Sequence, residues 1–176
     1  IGLVLLLWTF GYFGTSVYSW FGNIFDLSEY RGLDATAYLE NVFSEDAGAI
    51  RWLDETIEGQ PVVLEANGDS YSDYERVSAM TGLPTVLGWY VHEWLWRGDP
   101  ADLNVRAEDV KQMYTSTDTN EVLRLLEQYH VTYIFVGSKE KEKYGDALNE
   151  LLLQSIGDIV YQDTASGTYI LQVQDT

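Results

Sequence analysis

The 176-residue chain has no cysteine, only three prolines and two histidines, and 10 Lys and Arg against 28 Asp and Glu. The lack of cysteine excludes disulfide scaffolds, zinc–thiolate sites, iron–sulfur clusters and thiol nucleophiles. The formal net charge of −18 excludes nucleic acid as a partner, because phosphate must be neutralised by basic residues. The chain can still bury a core, since 46% of its residues are hydrophobic and 14% are aromatic.

The N-terminal segment has no charged residue before Asp26. We interpret residues 1 to about 13 as the outer end of a transmembrane helix, and the aromatic remainder up to residue 25 as its interfacial exit. A buried amphipathic helix is the alternative. Few basic residues follow the exit, which places the globular part outside the cytoplasm, at the cell membrane. We therefore predict a membrane segment over residues 1–25 and a single extracytoplasmic domain over 26–176. Because the chain begins with Ile, we expect it to be a fragment.

The globular part alternates helical and strand patterns. Apolar runs predict strands buried on both faces of a sheet at residues 61–66, 85–89 and 131–137. Apolar spacing and capping residues predict helices at residues 44–59, 104–114, 118–129 and 139–155. A C-terminal hairpin is predicted at residues 158–162 and 168–174. The fold class is therefore α/β: a three-layer, mostly parallel sheet flanked by helices, with a C-terminal antiparallel hairpin.

Polar and aromatic residues follow the first two predicted strands, at 67–76 and 90–98. Ligand sites of open parallel sheets lie at the carboxyl ends of strands. Aromatic rings beside carboxylates, amides and guanidinium groups are typical of a site for a sugar or a polar headgroup. The candidate ligand-binding residues are Glu65, Asn67, Tyr71, Arg76, Trp89, His92, Glu93, Trp96 and Arg97.

Alternative interpretations accompany these candidates. Arg76 and Arg97 are candidates for binding a phosphate or carboxylate, but a buried ion pair with Glu65 or Glu93 would satisfy them equally. Tryptophans that follow strands are often packed in the core, and this applies to Trp89 and Trp94. Exposed, they would instead anchor an interface with a partner.

A metal or catalytic site has weaker support. His92 and Glu93 could join Glu65, Asp69 and Asp73 around a divalent cation, yet neither a His-x-x-x-His pair nor a complete calcium-loop motif is present. Calcium bound by the polar loop at 67–75 stays an alternative to a loop solvated by its own side chains. No Gly-x-Ser-x-Gly elbow and no glycine-rich phosphate loop occur. We assign no catalytic residue and no cofactor to this chain.

The same loops resemble the C-terminal ectodomain of the YYY-domain family of multi-pass membrane proteins, a family of unassigned function. The matching residues are 63–78, 81–89 and 92–98, with Leu33-Asp34, Tyr38-Leu39, 114–116, Leu125-Leu126 to Tyr129, and 131–137.

The resemblance implies that a bundle of transmembrane helices precedes this fragment, similar to the bundle of GT-C class glycosyltransferases, which use lipid-linked sugars. Catalytic carboxylates of that class lie on loops of the membrane part, and soluble C-terminal domains assist binding; the oligosaccharyltransferases have a comparable ectodomain. We therefore expect a domain that assists binding of a sugar or a polyprenyl-phosphate-linked sugar, with the membrane bundle as its partner. The alternative is a structural ectodomain that docks on that bundle or on another protein.

Overall fold

The computed structural model describes residues 2–21 and 37–174. The chain divides into two units, Ile1–Ala37 and Tyr38–Thr176. The first contains helix α1 (Gly2–Phe21), which exposes large apolar side chains such as Leu3, Trp8 and Trp20. Among the described residues, no helix has both the length and the apolar character needed to cross a bilayer. Helical structure is thus confirmed here, but the transmembrane assignment is not. The helix continues through residues 14–21, the first part of the predicted interfacial exit. The rest of that exit and the predicted boundary at residue 26 lie outside the described residues.

The second unit is built from short helices and four strands. Its helices are α2 (Ala37–Val42), α3 (Ala47–Thr56), α4 (Arg76–Thr81), α5 (Tyr90–Arg97), α6 (Ala101–Thr115), α7 (Thr119–Gln128), α8 (Ser138–Tyr144) and α9 (Glu150–Ile156). Its strands are β1 (Val62–Leu64), β2 (Val131–Val136), β3 (Gly157–Gln162) and β4 (Tyr169–Val173). A 3-10 turn at Gly145–Ala147 separates α8 from α9.

The four strands form one mixed sheet in the order β1-β2-β4-β3. Strands β1 and β2 are parallel, and Val63 pairs with Tyr133. Strand β4 is antiparallel to both β2 and β3, which confirms the C-terminal hairpin. The prediction of a mostly parallel sheet is therefore wrong, since only one of the three strand pairings is parallel.

The missing parallel strand explains this difference. Residues 85–89 form only an isolated parallel bridge between Thr85 and Val63. Three residues later the Gly88 N–H donates to the Glu93 side chain at 2.7 Å instead of to a neighbouring strand. The chain then enters α5, where the sequence predicts a loop. A side chain that captures a backbone donor in this way ends strand pairing.

Helices cover both faces of the sheet, as predicted for a three-layer fold. Ile134 and Val136 of β2 pack into a core formed with α6, α7 and α9. The alternate residue Phe135 packs on the other face against α3 and α4. This alternation follows from the two-residue period of a strand. Burial on both faces explains why β2 is a nearly continuous apolar run.

Candidate functional site

A cleft of about 330 Å³ lies beside the loop that joins β1 to α4, residues 65–75. Its lining residues are four aromatic side chains, one apolar side chain and three polar or charged ones: Phe43, Tyr71, Tyr74, Trp89, Met80, Ser72, Asp73 and Arg76. Concave sites that combine apolar surface with a few polar groups are the usual form of small-molecule sites. We take this cleft as the candidate functional site.

Three rings cluster at the mouth of the cleft. Tyr71 lies with its centroid 5.5 Å from that of Trp89 and 5.0 Å from that of His92, and the last two are 5.3 Å apart. Tyr71 is 84% exposed, whereas Trp89 is half-buried and donates its indole N–H to the Tyr74 carbonyl at 3.2 Å. An exposed ring beside an anchored ring provides an apolar surface on which a sugar ring can stack.

The loop that carries Tyr71 is hydrogen-bonded to α5. The His92 backbone N–H donates to the Ser70 hydroxyl at 3.2 Å, and the His92 Nδ1 lies 2.7 Å from the same oxygen. The predicted residue His92 therefore positions this loop. Tyr71 itself has a φ of 63°, a left-handed conformation that is uncommon for a residue with a side chain.

Glu65 has a structural position below the cleft. Its side chain is buried and accepts the backbone N–H groups of Val77 at 2.8 Å and of Ser78 at 2.9 Å. It thus satisfies donors in the first turn of α4 that have no partner within the helix. Burial raises the pKa of Glu65 to about 7, although the two N–H groups and Arg76 favour the ionised form.

Arg76 lies at the floor of the cleft in a buried ionic network. Its guanidinium group donates to Asp46 at 2.7 Å and to Glu140 at 2.8 Å, and all three residues are buried. Burial raises the pKa of Asp46, but Arg76 and Ser138 outweigh it and hold the pKa below its usual value. The ion-pair alternative for Arg76 is thus the one found, with Asp46 and Glu140 as partners instead of Glu65.

Asp46 and Glu140 also connect distant parts of the sheet. Asp46 accepts from the Ser138 backbone N–H at 3.0 Å and from the Thr168 hydroxyl at 3.0 Å. Glu140 accepts the backbone N–H groups of Ala66 and Gly137, each at 2.9 Å. The network therefore joins the end of β1, the start of α8 and the β3–β4 hairpin around one arginine.

Gly137 packs against this network so closely that a side chain would collide with it. The backbone conformation of Gly137 does not itself require glycine. Its φ of −128° suits any residue, but an added Cβ would lie 2.3 Å from Asp46 Oδ1 and 2.6 Å from the Phe135 ring.

We expect Gly137→Ala to lower the free energy of unfolding by about 1–3 kcal/mol, as overpacking does. Urea denaturation measures this. Gly14→Ala on α1, where nothing lies within 4 Å, is the control, and equal effects would contradict the prediction.

The remaining predicted residues do not line the cleft. Asn67 is buried, and its side-chain and backbone oxygens accept hydrogen bonds from Lys143. On α5, Arg97 donates to Glu93 at 2.7 Å in an exposed ion pair. Trp96 is 87% exposed on the same helix. Of the nine predicted residues, the structure thus brings Tyr71, Arg76 and Trp89 to the cleft and places His92 against two of them.

Five cleft residues are not among the nine candidates for ligand binding, although the sequence suggests Asp73 as a cation ligand: Phe43, Ser72, Asp73, Tyr74 and Met80. Three of them lie in the polar loop that had been singled out, so the signal was present there. Phe43 and Met80 come from other elements and look like ordinary core residues in the sequence. Among residues 2–21 and 37–174, no group of three acidic or histidine side chains could hold a metal ion.

A second concavity, of about 670 Å³, lies between α7 and the adjoining ends of β2 and β4. It is lined by residues such as Leu123, Arg124 and His130 and by none of the predicted residues. Arg124 is already bonded to Glu121 at 2.7 Å. With no aromatic ring other than a histidine in its lining, it is a weaker candidate for a sugar than the cleft despite its size.

No family model matches the chain, and no curated protein matches it. Membership of the YYY-domain family therefore stays a prediction. The chain is similar in structure to the C-terminal globular domain of an oligosaccharyltransferase from Archaeoglobus fulgidus, with a TM-score of 0.46 and 12% identity over 74% of this chain and 97% of that one. At this level the similarity carries no conclusion about function, which has to be argued from the cleft.

Proposed function

We propose that this chain is a sugar-binding domain of a membrane protein, located outside the cytoplasm, and that the cleft binds the sugar. The observation that carries the proposal is the exposed ring of Tyr71 beside the anchored ring of Trp89, with Ser72 and Asp73 in the same lining. Rings stack on the apolar face of a sugar, while hydroxyl and carboxylate groups bond its hydroxyls. The membrane location is supported by the uncharged, exposed apolar helix α1.

The ligand expected in the cleft is an uncharged sugar moiety, not a phosphate. Among the described residues that line the cleft, Arg76 is the only cation, and its guanidinium group is occupied by Asp46 and Glu140. Arg97 belongs to an exposed pair on α5. If the sugar belongs to a lipid-linked donor, its phosphate would therefore be bound outside this cleft, by the membrane part of the protein.

Tyrosine 71 provides the test, because its exposed ring contributes little to the core. Tryptophan fluorescence of the chain is titrated with glucose, mannose, galactose and N-acetylglucosamine. We expect one of these sugars to bind, and Tyr71→Ala to weaken that binding about tenfold, since an aromatic contact contributes about 0.5–1.5 kcal/mol.

Trp96→Ala is the matched control, because it removes an exposed ring outside the cleft and should leave the dissociation constant unchanged. Thermal melting with the bound sugar gives a second readout. At a sugar concentration a hundred times the dissociation constant, binding should raise the free energy of unfolding by about 2.7 kcal/mol. Absence of binding by every sugar, or equal weakening by both variants, would contradict the proposal.

A docking function is the second candidate, and helix α5 favours it. Trp94, Leu95 and Trp96 are 44%, 72% and 87% exposed, and no residue of α5 is buried. Exposed aromatic side chains of this kind are typical anchors of interfaces. A photo-crosslinking amino acid at position 96 in the cellular protein tests this. Docking predicts one dominant crosslinked product, whereas a free helix gives none.

A further inference from the structure

Glu75 closes the loop that forms one side of the cleft. It is only 4% exposed, and its carboxylate Oε1 accepts the backbone N–H of Gly68 across the base of the loop. The other oxygen, Oε2, is buried and has no hydrogen-bond partner in the part of the chain that the structure describes. The backbone of Glu75 has a left-handed φ of 58°, which is strained for a residue with a side chain. The segment between these two ends, residues 68–75, contains Tyr71, Ser72, Asp73 and Tyr74 of the cleft.

The charged groups around Glu75 do not neutralise it. Glu65 at the end of β1 carries a like charge. The two nearby cations are bonded to other groups: Arg76 of α4 to Asp46 and Glu140, and Lys143 of α8 to Asn67. Tyr144 of α8 interacts electrostatically with Glu75 as well, and its hydroxyl likewise has no hydrogen-bond partner among the described residues. Burial raises the pKa of Glu75 to about 8 and outweighs the Gly68 N–H, which favours the ionised form; Glu65 adds to the rise, while Lys143 and Arg76 oppose it. The protonated carboxyl is therefore the form that this site accommodates.

We propose that protonated Glu75 is a latch that holds the loop over residues 68–75 closed, and that its ionisation releases the loop and with it one wall of the cleft. An ionised carboxylate with a buried, unpartnered oxygen gains hydration when the loop opens. Opening also relieves the left-handed backbone at Tyr71 and Glu75. The inference rests on the proposed function in that it describes regulation of the same cleft.

Hydrogen exchange at the Gly68 amide tests the latch, because this amide bonds directly to Glu75. Protection factors are measured by NMR between about pH 5 and 9, under conditions in which closing is faster than exchange. Opening lowers the pKa of Glu75 from about 8 toward its ordinary value of 4.5, so between these values the Gly68 protection factor should fall about tenfold per pH unit, and it should level off above about pH 8. In Glu75→Gln, which keeps a hydrogen-bond acceptor but does not titrate, the profile should be flat.

Glu58→Gln, which changes an exposed glutamate, is the matched control and should keep the wild-type profile. A wild-type protection factor that does not change with pH overturns the inference, and this result is decisive even if Glu75→Gln fails to fold. Equal profiles in wild type and Glu75→Gln overturn it as well. Since the readout needs no sugar, a loop that opens with rising pH in a chain that binds no sugar would contradict the proposed function alone.

Discussion

Replacing Arg76 with methionine should lower the free energy of unfolding by about 3–5 kcal/mol, the usual cost of removing one member of a buried ionic network. Methionine fills much of the same space but leaves Asp46 and Glu140 buried without the cation that both now contact, at 2.7 and 2.8 Å. The two carboxylates would also cease to be joined, so the link from α8 to the segment before α3 weakens. Urea denaturation followed by far-UV circular dichroism measures the loss.

Arg97→Met is the matched control for this prediction. Arg97 forms an i,i+4 pair with Glu93, and its side chain is 53% exposed. Such pairs contribute only about 0.3–0.5 kcal/mol, because water and salt screen them. A further readout identifies the mechanism: the loss of stability in Arg76→Met should shrink at acidic pH, where protonation neutralises the Asp46 carboxylate left without its cation. A loss of less than about 1 kcal/mol, or equal losses in both variants, would show that the network does not stabilise the fold.

Lowering the pH from about 8.5 to 5 should increase the free energy of unfolding by several kcal/mol. Burial raises the pKa of Glu65 to about 7 and that of Glu75 to about 8, from an ordinary value of 4.5. A carboxyl with a raised pKa binds its proton more tightly in the folded state. Its stabilising effect is therefore complete below about pH 4.5 and is lost as the pH rises through 7 and 8. One pKa unit corresponds to about 1.4 kcal/mol, so the two groups together make a large contribution.

Two observations separate this effect from general charge repulsion. The net charge of −18 also makes the fold more stable at lower pH, because repulsion between carboxylates decreases there. Salt at about 0.5 M screens this repulsion between exposed charges but screens buried groups much less. The double variant Glu65→Gln/Glu75→Gln should lose most of the remaining slope. Asp46 acts in the opposite direction, because its pKa is lowered, and stability should fall again below about pH 4. A flat profile between pH 5 and 8.5 in high salt would refute the prediction.

The amphipathic helix α7 and the central strand β2 could be predicted from the sequence because their signals are local. Val122, Leu125 and Leu126 recur at helical spacing behind the capping residue Asp118, whose side chain accepts from Asn120 and Glu121 in the structure. The apolar run that follows forms β2, the strand between β1 and β4. Period, cap and turn residues lie within a few positions of one another, so no distant partner was needed to interpret them.

Local signals failed where a distant partner decides the conformation. The helix predicted over residues 139–155 is interrupted at Gly145–Ala147, and Asn149 starts a new helix by capping the Leu152 N–H at 3.2 Å. The backbone N–H of Asn149 is bonded to the Tyr114 carbonyl of α6 at 2.9 Å, a contact that no local pattern reveals. Residues 85–89 likewise had the composition of a buried strand but lack a full set of strand partners.

For the candidate site, the sequence by itself determined which two loops come together, since aromatic and polar residues after strand positions meet at one edge of a sheet. Tyr71 and Trp89, 18 positions apart, are indeed in contact. Only the tertiary structure decided the role of each charge. Arg76 is equally suited to a ligand phosphate or to an ion pair, and Asp46 and Glu140, 30 and 64 positions away, make it an ion pair. The physical reason is that residue type fixes which interactions a side chain can make, whereas burial and distant neighbours fix which one it does make.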